Sequence, residues 1–324
     1  MQFHMTAALA AAVMAFFAGQ AQAQGAYLES IRHSGNWDKH NLKGETTPVM
    51  LLKPAEETVE IPKDGPFIKT FNGTNFKEIM RFAEQHNVDL PFVFSNPAPN
   101  KGKGEGMCVL AGASNLNQDT SVSFKREDTN GMLYVPQNTS ALCGNFLNAP
   151  GKKSYNGRVQ VMFGCNEKCE KCAGAGEAKH TLFEWMYQTK PGHEDVEEMY
   201  SNLSNVDGYS ANANVTVYNK TMGALSFRNI NATLDQVKKV CPRSNLWKEG
   251  NVFGCKSDCK LTGMEKHCCV GEWAERFGPK ACRESSNFLA ELCPDAYSWP
   301  YGDNGVVDYN GAPKAVHAIF TPIN

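Results

Sequence analysis

Short strand-like runs of apolar and polar residues, punctuated by turns, dominate the chain: FVFSN (92–96), SVSFK (121–125), RVQVMF (158–163), HTLFEWMYQ (180–188) and NVTVY (214–218). The two-residue period of a strand is explicit in HTLFEWMYQ, where Leu182, Glu184 and Met186 alternate with Phe183, Trp185 and Tyr187. A helical period replaces it in NFKEIMRFAEQH (75–86), which sets Phe76, Ile79, Met80 and Phe82 roughly on one face. Many short strands with few helices predict a mainly β fold, a sandwich or a barrel. Between Cys241 and Cys293 the texture changes to seven cysteines with few strands, as expected of a loop-rich lobe held by bridges where a core is thin. Residues 36–66, with scattered Lys, Glu and Pro, read as a pro-segment or an extended arm.

Composition bears mainly on the compartment. AALAAAVMAFFAG (7–19) is apolar but too short to span a bilayer, and AQA (21–23) supplies small residues for cleavage, so residues 1–23 read as a signal peptide. No later run reaches transmembrane length, and the polar end HAIFTPIN is no lipid-anchor tail. The expected product is secreted, extracellular or in a cell wall, and monomeric. All twelve cysteines follow Ala23, an even set that reads first as disulfides. Sequons at Asn72, Asn138, Asn202, Asn214, Asn219 and Asn231 fit the same compartment as glycosylation sites. A net charge of −2 is too balanced for nucleic acid or an anionic membrane, and no phosphate loop or nucleophile elbow occurs. CNEKCEKC (165–172), with His180 downstream, offers four zinc ligands by type. In a secreted chain disulfides outweigh that reading, so neither metal nor cofactor is expected.

The cysteine spacing carries the most specific signal. CPRSNLWKEGNVFGCKSDCKLTGMEKHCC, then Cys282, then CPDAYS (293–298), resembles the disulfide lobe of the thaumatin-like family, which includes osmotin and pathogenesis-related proteins. NAPGKKSYNGRVQVMFGC (148–165), TLFEW (181–185), NVDGYS (205–210) and IFTP (319–322) extend the likeness over roughly the last 180 residues. The resemblance implies a thaumatin-like β-sandwich over 101–237 and 294–324, with a disulfide-rich loop lobe at 238–293. Residues 24–100 would be an N-terminal extension or divergent first strands. It also implies the pairs Cys241–Cys255, Cys259–Cys268 and Cys269–Cys282. Cysteines usual in the family are missing at Thr321, near Asn310, near Arg228 and Thr233, and at the mature N-terminus. Those losses strand Cys293, which is expected to pair with one of Cys108, Cys143, Cys165, Cys169 or Cys172.

The family places an Arg, a Glu and three Asp in a cleft between sandwich and lobe. Carried over by position, these are Arg158, Glu184 and Asp207, with Asn202 where one Asp is usual and Asp303 one residue beyond the last, which falls on Gly302. Glycoside hydrolysis needs a protonated carboxylic acid at the leaving oxygen and a second carboxylate for water or the anomeric carbon. In an alternating strand Glu184 lies with Leu182 and Met186, opposite Phe183, Trp185 and Tyr187, so partial desolvation would favour its acid form. Glu184 is the candidate acid and Asp207 the candidate base or nucleophile. The competing reading is an exposed strand Glu paired with Arg158. Tyr297, Trp299 and Tyr301 alternate in CPDAYSWPYGD, as platforms for sugar rings or as core residues. The resemblance implies a protein that binds β-1,3-glucan of cell walls, with or without weak endo-hydrolysis, in wall remodelling or antifungal defence. The alternative is a non-catalytic interaction protein: an enzyme inhibitor, a membrane-perturbing defence factor or a structural wall glycoprotein.

Overall fold

The computed structural model describes residues 67–88, 90–97, 106–113, 131–144, 154–173, 181–190, 193–274, 287–301 and 308–323. All fall in one compact unit, Glu60–Gly302 with Val306–Asn324. The signal-peptide stretch, SVSFK (121–125), Cys282 and Asp303 lie outside the described residues.

In chain order the elements begin with β1 (Phe67–Asn72), α1 (Phe76–Gln85), β2 (Phe92–Asn96), β3 (Gly106–Ala113), β4 (Leu133–Val135) and β5 (Thr139–Gly144). Then come β6 (Ser154–Cys165), β7 (Leu182–Lys190), β8 (His193–Ser204), β9 (Gly208–Tyr209), β10 (Asn212–Tyr218) and β11 (Ala224–Ile230). The rest are α2 (Leu234–Val240), β12 (Leu246–Glu249), β13 (Val252–Lys256), α3 (Asp258–Thr262), α4 (Glu265–Cys268), α5 (Asn287–Leu292), β14 (Asp308–Tyr309) and β15 (Ala315–Thr321). One six-stranded sheet runs β1-β5-β2-β15-β10-β11 and a second runs β14-β8-β7-β6-β3-β4. A small sheet, β12-β13-β9, belongs to the cysteine-rich lobe.

The fold is mainly β, and the two-residue period explains its core. Phe92 and Phe94 of β2, with Val316, Ala318 and Phe320 of β15, meet Val159, Val161, Phe183, Trp185 and Leu203 of the other sheet in one apolar cluster. Phe92 and Trp185 touch across it, ring centroids 5.0 Å apart. The outer face of the first sheet is covered by α1. Phe76 stacks on Tyr218 and His317, while Phe82 meets Phe67 and Phe71 of β1. The fully buried face of α1 is Ile79, Met80 and Ala83, the i, i+3, i+4, i+7 set counted from Phe76; Phe82 sits at its margin.

Residues 67–97 are integral to this sandwich. β2 lies inside the first sheet, antiparallel to β5 and parallel to β15, so Phe92 and Phe94 sit at the centre of the core.

The lobe is closed by Cys241–Cys255 and Cys259–Cys268, and Cys269 is also disulfide-bonded. Cys108–Cys169 and Cys165–Cys172 staple the end of β6 to β3. Cys293 departs from the sequence expectation: it is a buried thiol, bridged to none of the five candidates. Four of them satisfy one another locally, and Cys143 sits in β5 opposite Ile68 and Phe92. The Cys293 thiol instead hydrogen-bonds with Asn205 and Tyr209, and burial pushes it up to about 12, so it stays protonated and packs as a small apolar group. Near the absent family cysteines at Arg228 and Asn310, Arg228 grips Asp308 with a two-pronged ion pair, Nε–Oδ2 2.7 Å and Nη2–Oδ1 2.8 Å. It ties β11 to β14, the edges of the two large sheets, where a bridge is lacking.

Sandwich and lobe meet at β9. Gly208 has φ +136°, and a Cβ there would lie 2.4 Å from the Cys255 carbonyl oxygen. Gly208→Ala should therefore cost roughly 2–4 kcal/mol through backbone strain and overpacking, read as a lowered urea midpoint with an unchanged m-value.

Candidate functional site: a carboxyl row on three strands

Pairing of β6, β7 and β8 sets Arg158 opposite Glu184 and Glu184 opposite Asn202. Directly paired residues project on the same face, so the three side chains form a row across the sheet. The alternation that turns Phe183 and Trp185 into the core turns Glu184 to the other face. Trp185 takes its place because Gly157, its partner on β6, lacks a side chain; a Cβ there would lie 2.2 Å from the indole.

Glu184 is half-buried, and its environment decides its protonation. Burial pushes its carboxyl above the ordinary carboxylate range, and the negative charge of Asp207 pushes the same way. A hydrogen bond from Asn202, the charge of Arg158 and a hydrogen bond from Ser204 oppose this, but burial is the larger influence. Asn202 Nδ2 donates to Glu184 Oε2 at 3.3 Å. The result is a carboxyl that favours its protonated form beside a second carboxyl, the pairing an acid-catalysed step uses.

Asp207 comes from the turn between β8 and β9, which is fixed from several sides. Gly208 N donates to Asn205 O at 2.8 Å, Asn205 N donates to Tyr297 O at 2.6 Å, and Ser257 N of the lobe donates to Asp207 O at 3.1 Å. Beneath it, Thr181 Oγ1 accepts from Ser210 N and Ala211 N at 3.0 and 3.2 Å, and its hydroxyl lies 3.1 Å from the Asn205 amide. Tyr209 is fully buried, its hydroxyl bonded to Asn212 and accepting from Ala232 N.

The segment CPDAYSWPY runs alongside. Tyr297 N donates to Leu203 O at 2.9 Å, which continues β8 by one bridge. Tyr297, Trp299 and Tyr301 are all half-buried. Trp299 and Tyr301 pack edge to face with centroids 5.7 Å apart, and Tyr301 Oη donates to Ala274 O at 2.7 Å. With Cys293 a thiol, the loop is anchored instead by backbone pairing to β8 at Ser204, two residues after Asn202 and three before Asp207.

The structure thus brings together Arg158, Glu184, Asn202 and Asp207. Sequence reasoning did not reach Ser204, whose hydroxyl also bonds the Glu184 carboxyl. Its position two residues after Asn202 puts it on the same strand face, but only the pairing of β7 with β8 brings that face to Glu184.

Comparison with known proteins gives the lineage. The thaumatin family model matches residues 110–320. "Thaumatin-like protein 1a" of Malus domestica is 30% identical over 47% of this chain and 59% of its own. "Thaumatin-like protein 1" of Pyrus pyrifolia is 28% identical over 43% and 54%. A "Glucan endo-1,3-beta-glucosidase" of Prunus avium is 32% identical over 36% and 46%. The chain thus spans about half the length of these curated relatives. With the family match covering well over half the sequence, and the sandwich, cysteine lobe and carboxyl row in place, the chain belongs to the thaumatin family.

Proposed function

We propose that this chain is a secreted binder of β-1,3-glucan in cell walls that also cleaves internal linkages weakly, in wall remodelling or antifungal defence. The observation that carries this reading is the Glu184 carboxyl, held above its ordinary range by burial beside Asp207. Protonated Glu184 would donate to the glycosidic oxygen as the bond breaks. Asp207 would serve the other side of the sugar, as base for water or as nucleophile. Arg158 keeps positive charge near the row, and Tyr297, Trp299 and Tyr301 supply half-buried aromatic surface for stacking on sugar rings. The relative named as a glucan endo-1,3-beta-glucosidase supports the same chemistry. Asn202 is the reason to expect weak activity: it supplies an amide where a carboxylate is usual, and its hydrogen bond favours ionised Glu184.

That same substitution favours the second reading, a non-catalytic wall or defence protein. Co-sedimentation with insoluble β-1,3-glucan, with released reducing ends assayed in the same tubes, separates the two. Binding with release supports the enzyme, binding alone supports a wall lectin, and neither result sends the search to protein or membrane targets. Trp299→Ala should weaken sedimentation by roughly 1–2 kcal/mol, about tenfold in Kd; unchanged affinity in the folded variant would remove Trp299 from the platform.

Secretion would bring the sequons into play. Asn72, Asn138 and Asn231 are exposed and suited to carry glycans. Asn202 is half-buried with its amide on Glu184, so it should remain unmodified.

A further inference from the structure

At the end of β6 two disulfides lie against each other. The sulfurs of Cys108, Cys165 and Cys172 are all within 4.8 Å of one another, and the fourth, Cys169, is bonded to Cys108. All four residues are buried. Four thiolates around Zn²⁺ need sulfurs about 3.8 Å apart, given Zn–S bonds of about 2.3 Å in a tetrahedron. The sulfurs of Cys108, Cys165 and Cys172 lie within about an ångström of that spacing, and Cys169 is held beside them by its bond to Cys108. The ligand spacing, C-x3-C-x2-C with a fourth cysteine from the neighbouring strand, is that of structural zinc loops. We propose that Cys108, Cys165, Cys169 and Cys172 form a redox-gated zinc site: once a dithiol reductant opens the two bridges, the four thiolates take one Zn²⁺.

The loop that carries three of these cysteines holds its shape without the bridges. Asn166 Oδ1 accepts from Glu170 N at 3.0 Å and Lys171 N at 3.2 Å, while Asn166 N donates to Lys171 O and Cys169 N to Asn166 O, each at 2.9 Å. Cys169 adopts φ +56°, which folds the C-x2-C segment back toward Cys165. Cys108 is fixed independently in β3, paired with Met162 on one side and Tyr134 on the other. Met132, Met162 and Tyr134 pack around the sulfurs and limit access of water, while exposed Lys168 and Lys171 alternate with Glu167 and Glu170, so the loop itself carries no net charge.

The electrons balance as follows. Each dithiol gives two electrons and two protons to one bridge and leaves as its own disulfide, so two molecules yield four protein thiols. Zn²⁺ displaces the four thiol protons and forms the tetrathiolate. A disulfide oxidant takes four electrons back, re-forms both bridges and expels the metal.

Cobalt(II) is the probe for the test. The full chain, reduced with a dithiol and freed of it without air, should take up one Co²⁺ with thiolate charge-transfer and tetrahedral visible bands, which Zn²⁺ abolishes. Cys165→Ser with Cys172→Ser should lose the bands, whereas Cys259→Ser with Cys268→Ser should keep them. Should the first pair of substitutions fail to fold, alkylation mapping of the reduced, zinc-loaded native chain decides. Protection of Cys108, Cys165, Cys169 and Cys172 upholds the site. Bridges that resist the dithiol, alkylation of all four, or bands that survive Cys165→Ser with Cys172→Ser would overturn it.

Discussion

Glu184→Gln should lower the release of reducing ends from β-1,3-glucan by roughly 10²–10⁴-fold, the usual worth of a positioned general acid, while co-sedimentation with the polymer persists. The amide keeps the shape and the hydrogen bond to Asn202 but has no proton to deliver. Stability should move the opposite way. Because the native environment raises the Glu184 carboxyl, the fold favours its protonated form. Its contribution is fully present below the ordinary carboxyl range and is lost as pH rises through the raised value. At neutral pH the ionised group is a cost that Glu184→Gln removes, so the variant should be the more stable protein there. A less active yet more stable variant is the signature of a residue kept for chemistry.

The neighbours make the assignment sharper. The alkaline limb of the rate profile should report Glu184, since activity needs its protonated form. Asn202→Asp replaces a hydrogen bond that lowers the carboxyl with a charge that raises it, so the limb should move to higher pH. Asp207→Asn removes a charge that raises it, so any residual activity should fade at lower pH. Limbs that stay fixed in both variants would assign the proton to another group.

Much of this was legible in the residues. FVFSN spans β2 residue for residue, because a Phe-Val-Phe run between turn formers is too short for a helix and suits a buried strand. The alternation around Glu184 correctly separated it from Phe183 and Trp185. What a linear pattern omits is register. That Arg158, Glu184 and Asn202 face each other follows from pairing of three strands, and Ser204 joined the site only through it. In α1 the periodicity set Phe82 on the same face as Phe76, Ile79 and Met80, where the turn geometry puts the smaller Ala83 and leaves Phe82 at the margin against β1. Cys293 misled for another reason: even cysteine counts argue for pairing, but a buried thiol with two hydrogen-bond partners needs none. Nor did any spacing announce Arg228–Asp308, since an ion pair between residues 80 positions apart leaves no local mark.

The second large effect is acid sensitivity from a buried histidine. His317 is buried in β15, stacked on Phe76 at 4.4 Å, with Nε2 2.9 Å from Ser95 Oγ. Ser95 Oγ lies 2.7 Å from Ser140 Oγ, and Ser140 donates to Gly73 O at 3.1 Å. Each hydroxyl has one proton, so with Ser140 committed to the carbonyl, Ser95 donates to Ser140 and accepts from His317. His317 is then the neutral tautomer with its proton on Nε2, and a second proton would put an imidazolium charge beneath α1. Burial accordingly lowers its pKa to about 4, from 6.5. Above pH 6.5 neither state holds the extra proton and stability is unaffected. Between 6.5 and about 4 the unfolded chain binds it and the native one does not, so stability falls, by about 3 kcal/mol when complete. His317→Gln keeps a donor for Ser95 but cannot titrate. It should be less stable than the native chain at pH 7, for want of the stacked ring, and the gap between their urea-unfolding free energies should narrow steadily toward pH 4. A gap that stays constant over that window would place the acid sensitivity elsewhere than His317.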